Sequence, residues 1–181
     1  MRILFTIILW AFTQGGLKPT TYRGEGGLIA FTSDAPLELI KARSKSLKGI
    51  VNAAENTFAF LVPTATFQGF NSPLQQEHFH ENYMESGTYQ IASFSGKFIE
   101  KISDLKEGKH SVRAKGDLKI HGQTVERIVK CKVEVAPAEL HIQAQFMVPL
   151  SDHQIDIPRV VNQKIAENIA VTVDITLKPA A

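Results

Sequence analysis

Titratable side chains crowd one stretch of this sequence, where Glu77, His78, His80, Glu81 and Glu85 fall close together. Such a cluster suggests a metal centre or acid–base chemistry. On a helix, Glu77 and Glu81 share a face, as do Glu81 and Glu85, while His78 shares its face with Asn82. A helical zinc site instead needs histidines about one turn apart, with further ligands converging on them. His78 and His80 stand about 200° apart around a helix, so they cannot both face one ion. The expectation is no metal, with His78 pinning the helix to the body of the fold and His80 solvated.

Other chemistry finds no better support. The chain contains no G-x-S-x-G to expose a nucleophilic serine, and no G-x-G-x-x-G to cradle a dinucleotide. Asp152 and Asp156 flank a stretch that ends in Pro158, where their expected work is turn hydrogen bonding. Cys131 is the only cysteine, so no internal disulfide is available. Val129 and Val133 share its face, which reads as a small buried core residue rather than a reactive thiol.

Hydrophobic pattern identifies the elements that carry these residues. Val112, Ala114, Gly116, Leu118 and Ile120 alternate with Arg113, Lys115, Asp117 and Lys119. Glu139 to Leu150, Ile169 to Leu177 and Val125 to Val135 repeat the period of two, which identifies strands with one buried face. Gly27–Ser33, Leu37–Ser44, Leu47–Asn52, Thr57–Phe67 and Ser93–Ile102 complete eight or nine strands, separated by turn residues such as His121-Gly122. One helix is expected from Leu74 to Met84, capped by Ser72, opened by Pro73 and with Gln76 as capping-box partner. Pro158 to Ala166 is a weaker helical segment. Periodicity alone leaves a sandwich and a closed barrel both open.

Aromatic residues then acquire interest. Phe31, Phe58, Phe60, Phe67, Phe70, Phe79, Phe94, Phe98 and Phe146 fall on strands or on the helix, several at alternate positions. Their rings either fill a core or line an apolar cavity. Arg127 and Cys131 are the exceptions on otherwise apolar inward faces.

The 181 residues are 44% hydrophobic and 21% charged, which suits one globular domain. A formal charge of +2, spread along the chain, argues against nucleic acid and against a polybasic membrane anchor. After Met1-Arg2, Ile3 to Phe12 is apolar except for Thr6, and small residues follow at Gly15 and Gly16. That run is shorter than the roughly 20 residues needed to cross a bilayer, but it suits a cleavable signal peptide. Residues 1–16 are therefore expected to be a signal peptide, with residues 17–181 forming one soluble domain without a transmembrane anchor.

Four segments in order resemble the YceI-like family. QQEHFHENYMESGTY (Gln75 to Tyr89) is similar to the family's central helix motif, and FTSDAPLE (Phe31 to Glu38) to its opening strand and turn. GDLKIHGQT (Gly116 to Thr124) and the stretch from Phe146 to Pro158 resemble two later signatures. Tyr89-Gln90 departs from the Tyr-Pro of many relatives. The resemblance implies an all-β fold: an eight-stranded antiparallel lipocalin-like barrel with one short helix closing an end.

It further implies a periplasmic or secreted protein that binds, carries or stores an apolar chain-like lipid, such as an isoprenoid quinone or polyprenyl chain. On this reading the protein is not an enzyme and uses no cofactor, and a homodimer is possible. Phe31, Phe58, Phe60, Phe79, Tyr83, Phe94, Phe98 and Phe146 are the expected ligand-binding residues. Two alternatives stand beside it: a cavity-less envelope stress or interaction module, and a small hydrolase acting on a hydrophobic substrate.

Overall fold

The computed structural model describes residues 20–180. The segment expected to be a signal peptide lies outside the described residues. Eight strands follow one another: β1 (Thr21–Asp34), β2 (Leu39–Asn52), β3 (Thr57–Pro63), β4 (Ile91–Phe98), β5 (Gly108–Ile120), β6 (Gln123–Ala136), β7 (Glu139–Pro149) and β8 (Asn168–Pro179). Each pairs antiparallel with its neighbour in sequence, and β8 returns to pair with β1. Closure into a ring leaves the up-and-down sheet without the two exposed edges that an open sheet would present.

The stretches 37–44 and 47–52, expected as two strands, form the single strand β2. Ser44 sits where its pairing with β1 shifts register. Its Oγ accepts from the Ser46 N–H at 3.0 Å and meets the Thr66 hydroxyl at 2.6 Å. Opposite, β1 shifts register on both sides of Gly27, beside Gly26 at φ +73°. A bulge of this kind adds twist where one sheet must curl around to close. β3 ends earlier than expected, at Pro63, and passes into a 3₁₀ turn at Thr64–Thr66.

Two inward-facing glycines shape another part of the wall. Gly96 of β4 and Gly116 of β5 are register partners. A Cβ on Gly96 would meet Gly116 Cα at 2.5 Å, and one on Gly116 would overlap the Ser95 carbonyl. The two backbones approach more closely here than any side chain allows.

Alternate connections gather at one end, called here the mouth. They are the 35–38 turn, the long β3–β4 connection, the His121-Gly122 turn and the 150–167 connection. The β3–β4 connection contains α1 (Pro73–His78), which runs on into a single π turn, Phe79–Tyr83. Ser72 caps α1 as expected, accepting from the Gln75 N–H at 3.2 Å. The reciprocal partner is Gln75 rather than Gln76, and its side chain accepts from the Asn71 N–H at 3.0 Å. The difference arises because Pro73 occupies the first helical position, which places Gln75 at the third. The 158–166 segment contributes only a 3₁₀ turn at Arg159–Val161.

The ring is not laddered throughout. β6 and β7 pair only from Cys131↔Ala144 to Ala136↔Glu139, although β6 begins at Gln123. A 3₁₀ turn, Leu150–His153, packs beside this seam. His153 is fully buried there, and its Nδ1 lies 3.3 Å from the Gln123 carbonyl. Arg127 pairs with Asp152 of the same turn, so this aspartate makes an ion pair rather than the turn hydrogen bond expected of it.

The far end of the barrel is packed solid by Val51, Val112, Val133, Leu140, Ile175 and Leu177, all nearly or wholly inaccessible. Replacing Gly116 by Ala should lower stability by about 1–3 kcal/mol, because the new methyl forces β4 and β5 apart. A urea unfolding series measures this. An unchanged midpoint would show that the wall tolerates a side chain there.

Candidate functional site

Toward the mouth the filling stops. Side chains become small (Ala92, Ala114, Cys131 and Ala144), and a cavity of about 490 Å³ opens between them. Such a size falls within the usual range for small-molecule sites. Its wall is carbon almost everywhere: Leu47, Phe60, Phe94 and Phe98 lie deep, and Phe146, Val171 and Val173 stand on the opposite strands.

Aromatic rings form its roof. The Phe79 ring stacks on Phe31 with centroids 5.3 Å apart and planes at 20°, and it also touches Phe67 and Phe70 at 5.7 and 5.0 Å. Offset ring pairs of this kind contribute roughly 0.5–1.5 kcal/mol beyond simple burial. The cluster joins β1, the 3₁₀ turn region and the helix, so rings help hold α1 against the barrel. Tyr83 also faces the cavity, and burial pushes its phenol above the usual tyrosine range.

Polar groups sit near the rim. Ser33, Glu38, Ser72, Gln75, His78 and Lys164 line the opening. The Gln75 amide donates to Glu38 Oε1 at 2.9 Å, and Ser33 Oγ accepts from the Ala166 N–H at 2.8 Å. These contacts tie the helix and the 150–167 connection to the first hairpin.

Seven of the eight residues singled out in the sequence line this cavity: Phe31, Phe60, Phe79, Tyr83, Phe94, Phe98 and Phe146. Phe58 does not. It is buried behind them, with its ring 4.9 Å from both Phe94 and Phe98 and 5.8 Å from Phe60. The pattern placed Phe58 and Phe60 on one face correctly, but depth along the barrel axis is invisible to a period of two. Phe67 and Phe70 belong to the lining as well, and they reach it from an irregular segment with no strand periodicity to mark them.

The two histidines exchange their expected roles. His78 is exposed at the rim, whereas His80 is half-buried, with Nδ1 3.3 Å from Ser86 Oγ and its ring edge-on to Phe79. His78 is the last residue of α1, whereas His80 lies within the π turn that follows it. From Phe79 the hydrogen bonds lengthen by one residue, as in Met84 N–H to the Phe79 carbonyl at 2.9 Å, and side chains rotate out of α-helical phase. Among the described residues no three His, Cys, Asp or Glu side chains converge on a common point.

Cys131 lines the cavity wall, as a small residue on an inward face. Burial pushes its thiol up to about 11, so it stays protonated at neutral pH. Arg127, the other inward exception, is drawn away from the cavity to Asp152 at the seam.

A second polar group escaped the sequence reading. His121 places Nδ1 3.1 Å from the His153 carbonyl and Nε2 3.2 Å from Glu85, while Tyr89 packs edge-on against its ring. It clasps the helix end, the β5–β6 turn and the seam together. The only hint in sequence was the His-Gly turn, because the three partners come from distant segments.

A model of the YceI-like domain family matches residues 30–177, and the chain belongs to that family. None of the curated proteins searched matches it. Among solved structures it is similar to a polyisoprenoid binding domain from Saccharophagus degradans implicated in plant cell wall breakdown. That likeness has 14% identity and a TM-score of 0.76, covering 90% of this chain and 100% of that one. BcnA of Burkholderia cenocepacia aligns at 12% identity and TM-score 0.67, over 83% of this chain and 95% of its own. The YceI protein of Campylobacter jejuni aligns at 11% and 0.57, over 100% and 94%. At these identities the likeness is one of fold.

Two measurements probe the site. Alkylation of Cys131 by a polar reagent at pH 8 should run roughly a hundredfold slower than for a free thiol, and should recover in denaturant. Intact-mass kinetics would show this, and rapid native labelling would mean that the thiol meets water. His153 is held below the ordinary imidazole range, first by burial. Its contribution to stability is therefore flat above about pH 6.5 and falls below it, where the unfolded chain takes up a proton that the folded one refuses. Urea midpoints at pH 7.5 and 5.5 should differ less in His153→Gln than in the parent. An equal difference in both would assign the acid sensitivity elsewhere.

Proposed function

We propose that this member of the YceI-like family is a non-enzymatic carrier or sequestering protein for an apolar chain-like lipid of isoprenoid or quinone type. The observation that carries this reading is the unfilled half of the barrel. Small residues on β4–β7 leave a cavity whose lining is almost wholly carbon, and a ring of phenylalanines roofs it. Each methylene moved from water into such a space contributes about 0.8 kcal/mol, so a chain binds tightly without polar recognition. Phe31, Phe60, Phe79, Tyr83, Phe94, Phe98 and Phe146 would contact the chain directly, with Phe58 supporting them from behind. The polyisoprenoid binding domain among the similar structures supports the same class of ligand.

Chemistry on the ligand is not part of this reading, because the groups facing the cavity are poorly suited to it. Cys131 holds its proton, and the seryl, glutamyl and lysyl side chains stand at the rim rather than around a buried reacting point. The apolar N-terminal run supports a working compartment outside the cytoplasm, in the periplasm or beyond.

The test is to purify the protein without detergent and extract it for lipid mass spectrometry, before and after incubation with quinones and polyprenyl lipids. A stoichiometric apolar chain is expected. Ala144→Phe, which projects a ring from β7 into the cavity, should remove it while the fold persists. A parent protein that remains empty after both incubations would overturn the proposal.

A further inference from the structure

The cavity opens at the mouth and is closed below. Its lining stops part-way along successive strands, at Cys131 on β6, Ile142 on β7 and Val173 on β8. The next inward residues toward the far end, Val133, Leu140 and Ile175, are only 1%, 2% and 1% exposed and belong to the packed core. Alternate residues on a strand stand roughly 7 Å apart, so open space gives way to solid packing within one layer of side chains. Phe98, the last residue of β4, faces the cavity at its deep end, and Phe58 packs behind it with ring centroids 4.9 Å apart.

Polar side chains such as Glu38, Gln75 and Lys164 stand at the open end. A chain with a polar head therefore enters tail first, because seating the head among carbon leaves its hydrogen bonds unmade. A closed floor then makes volume a measure of length. An apolar protein cavity of about 150 Å³ takes up benzene, which sets roughly 25 Å³ for each carbon. On that scale the 490 Å³ of this cavity accommodates about twenty carbons, the content of about four isoprene units.

We infer that the site is built for a short prenyl chain, with about four isoprene units inside the barrel and the polar head at the rim. The inference rests on the carrier reading above and narrows its ligand to one of diterpenoid length. A longer chain drawn from a membrane leaves its remaining units in water, and that exposure selects against it.

Prenyl alcohols of two to six isoprene units test the limit, each titrated below its solubility into the purified protein and followed by native mass spectrometry. Affinity should rise about tenfold or more with each unit up to the fourth, and less than about threefold for the fifth and sixth. Phe98→Ala removes six ring carbons at the floor and should move the limit to about five units. Phe98→Leu serves if that variant fails to fold, and should raise the gain from the fifth unit above that of the parent. Cys131→Leu, which builds the floor upward, should weaken the four-unit chain more than the two-unit chain. Affinity that keeps climbing through the sixth unit overturns the length limit and leaves the carrier reading standing. A limit that neither the Phe98 nor the Cys131 substitution moves overturns it as well. A parent that binds no member of the series removes both readings.

Discussion

Eight strands closed into a ring enclose a space whose width follows from strand number and tilt, and the side chains must either fill that space or leave it open. In this chain the choice changes along the axis. At the far end valines, leucines and isoleucines meet across the middle and leave nothing accessible. Toward the mouth the corresponding positions hold alanines and a cysteine, and the space remains. An unfilled apolar interior forfeits dispersion contacts, so it weakens the fold unless something else occupies it. The aromatic roof, the seam turn and the polar rim are all arranged around this one volume.

The roof shows how the parts depend on each other. α1 is short, and its own hydrogen bonds do little to fix it, since helices of this length are marginal alone. Its position comes from Phe79 on Phe31 and from the Gln75–Glu38 contact, both of which reach back to the first hairpin. That hairpin is in turn fastened to the 150–167 connection through Leu37 and Ser33. The mouth is thus assembled from three distant stretches of sequence, with no single one able to form it.

Legibility in the sequence followed the same division. Strict alternation in β5, β7 and β8 named the inward residues correctly, because a period of two is a direct record of a half-buried strand. The single helix was also visible, through Ser72 and Pro73. What alternation could not report was depth: it gave Phe58 and Phe60 the same standing, although one packs behind the other. Nor could it report the π turn, or which of the two opposed histidines, His78 and His80, would face the protein. His121 and His153 were hidden for another reason. Their partners lie at least thirty residues away in sequence, and no local pattern encodes a contact of that range. The family resemblance, carried by several short motifs in order, supplied the barrel that periodicity left undecided.

The path of the chain around the ring has a consequence for how the molecule is made. Every spatial neighbour is also the neighbour in sequence, with one exception, the pairing of β1 with β8. Seven pairings between sequence neighbours can therefore form as the chain emerges, each closing a loop far shorter than the domain, while the eighth spans nearly the whole domain and must wait for the last strand. Until then β1 offers an open edge, and the carbon-lined interior stands open to water. The newborn protein is for that interval a curled sheet with an exposed edge and an oily hollow, the state in which it most needs shelter from its own copies.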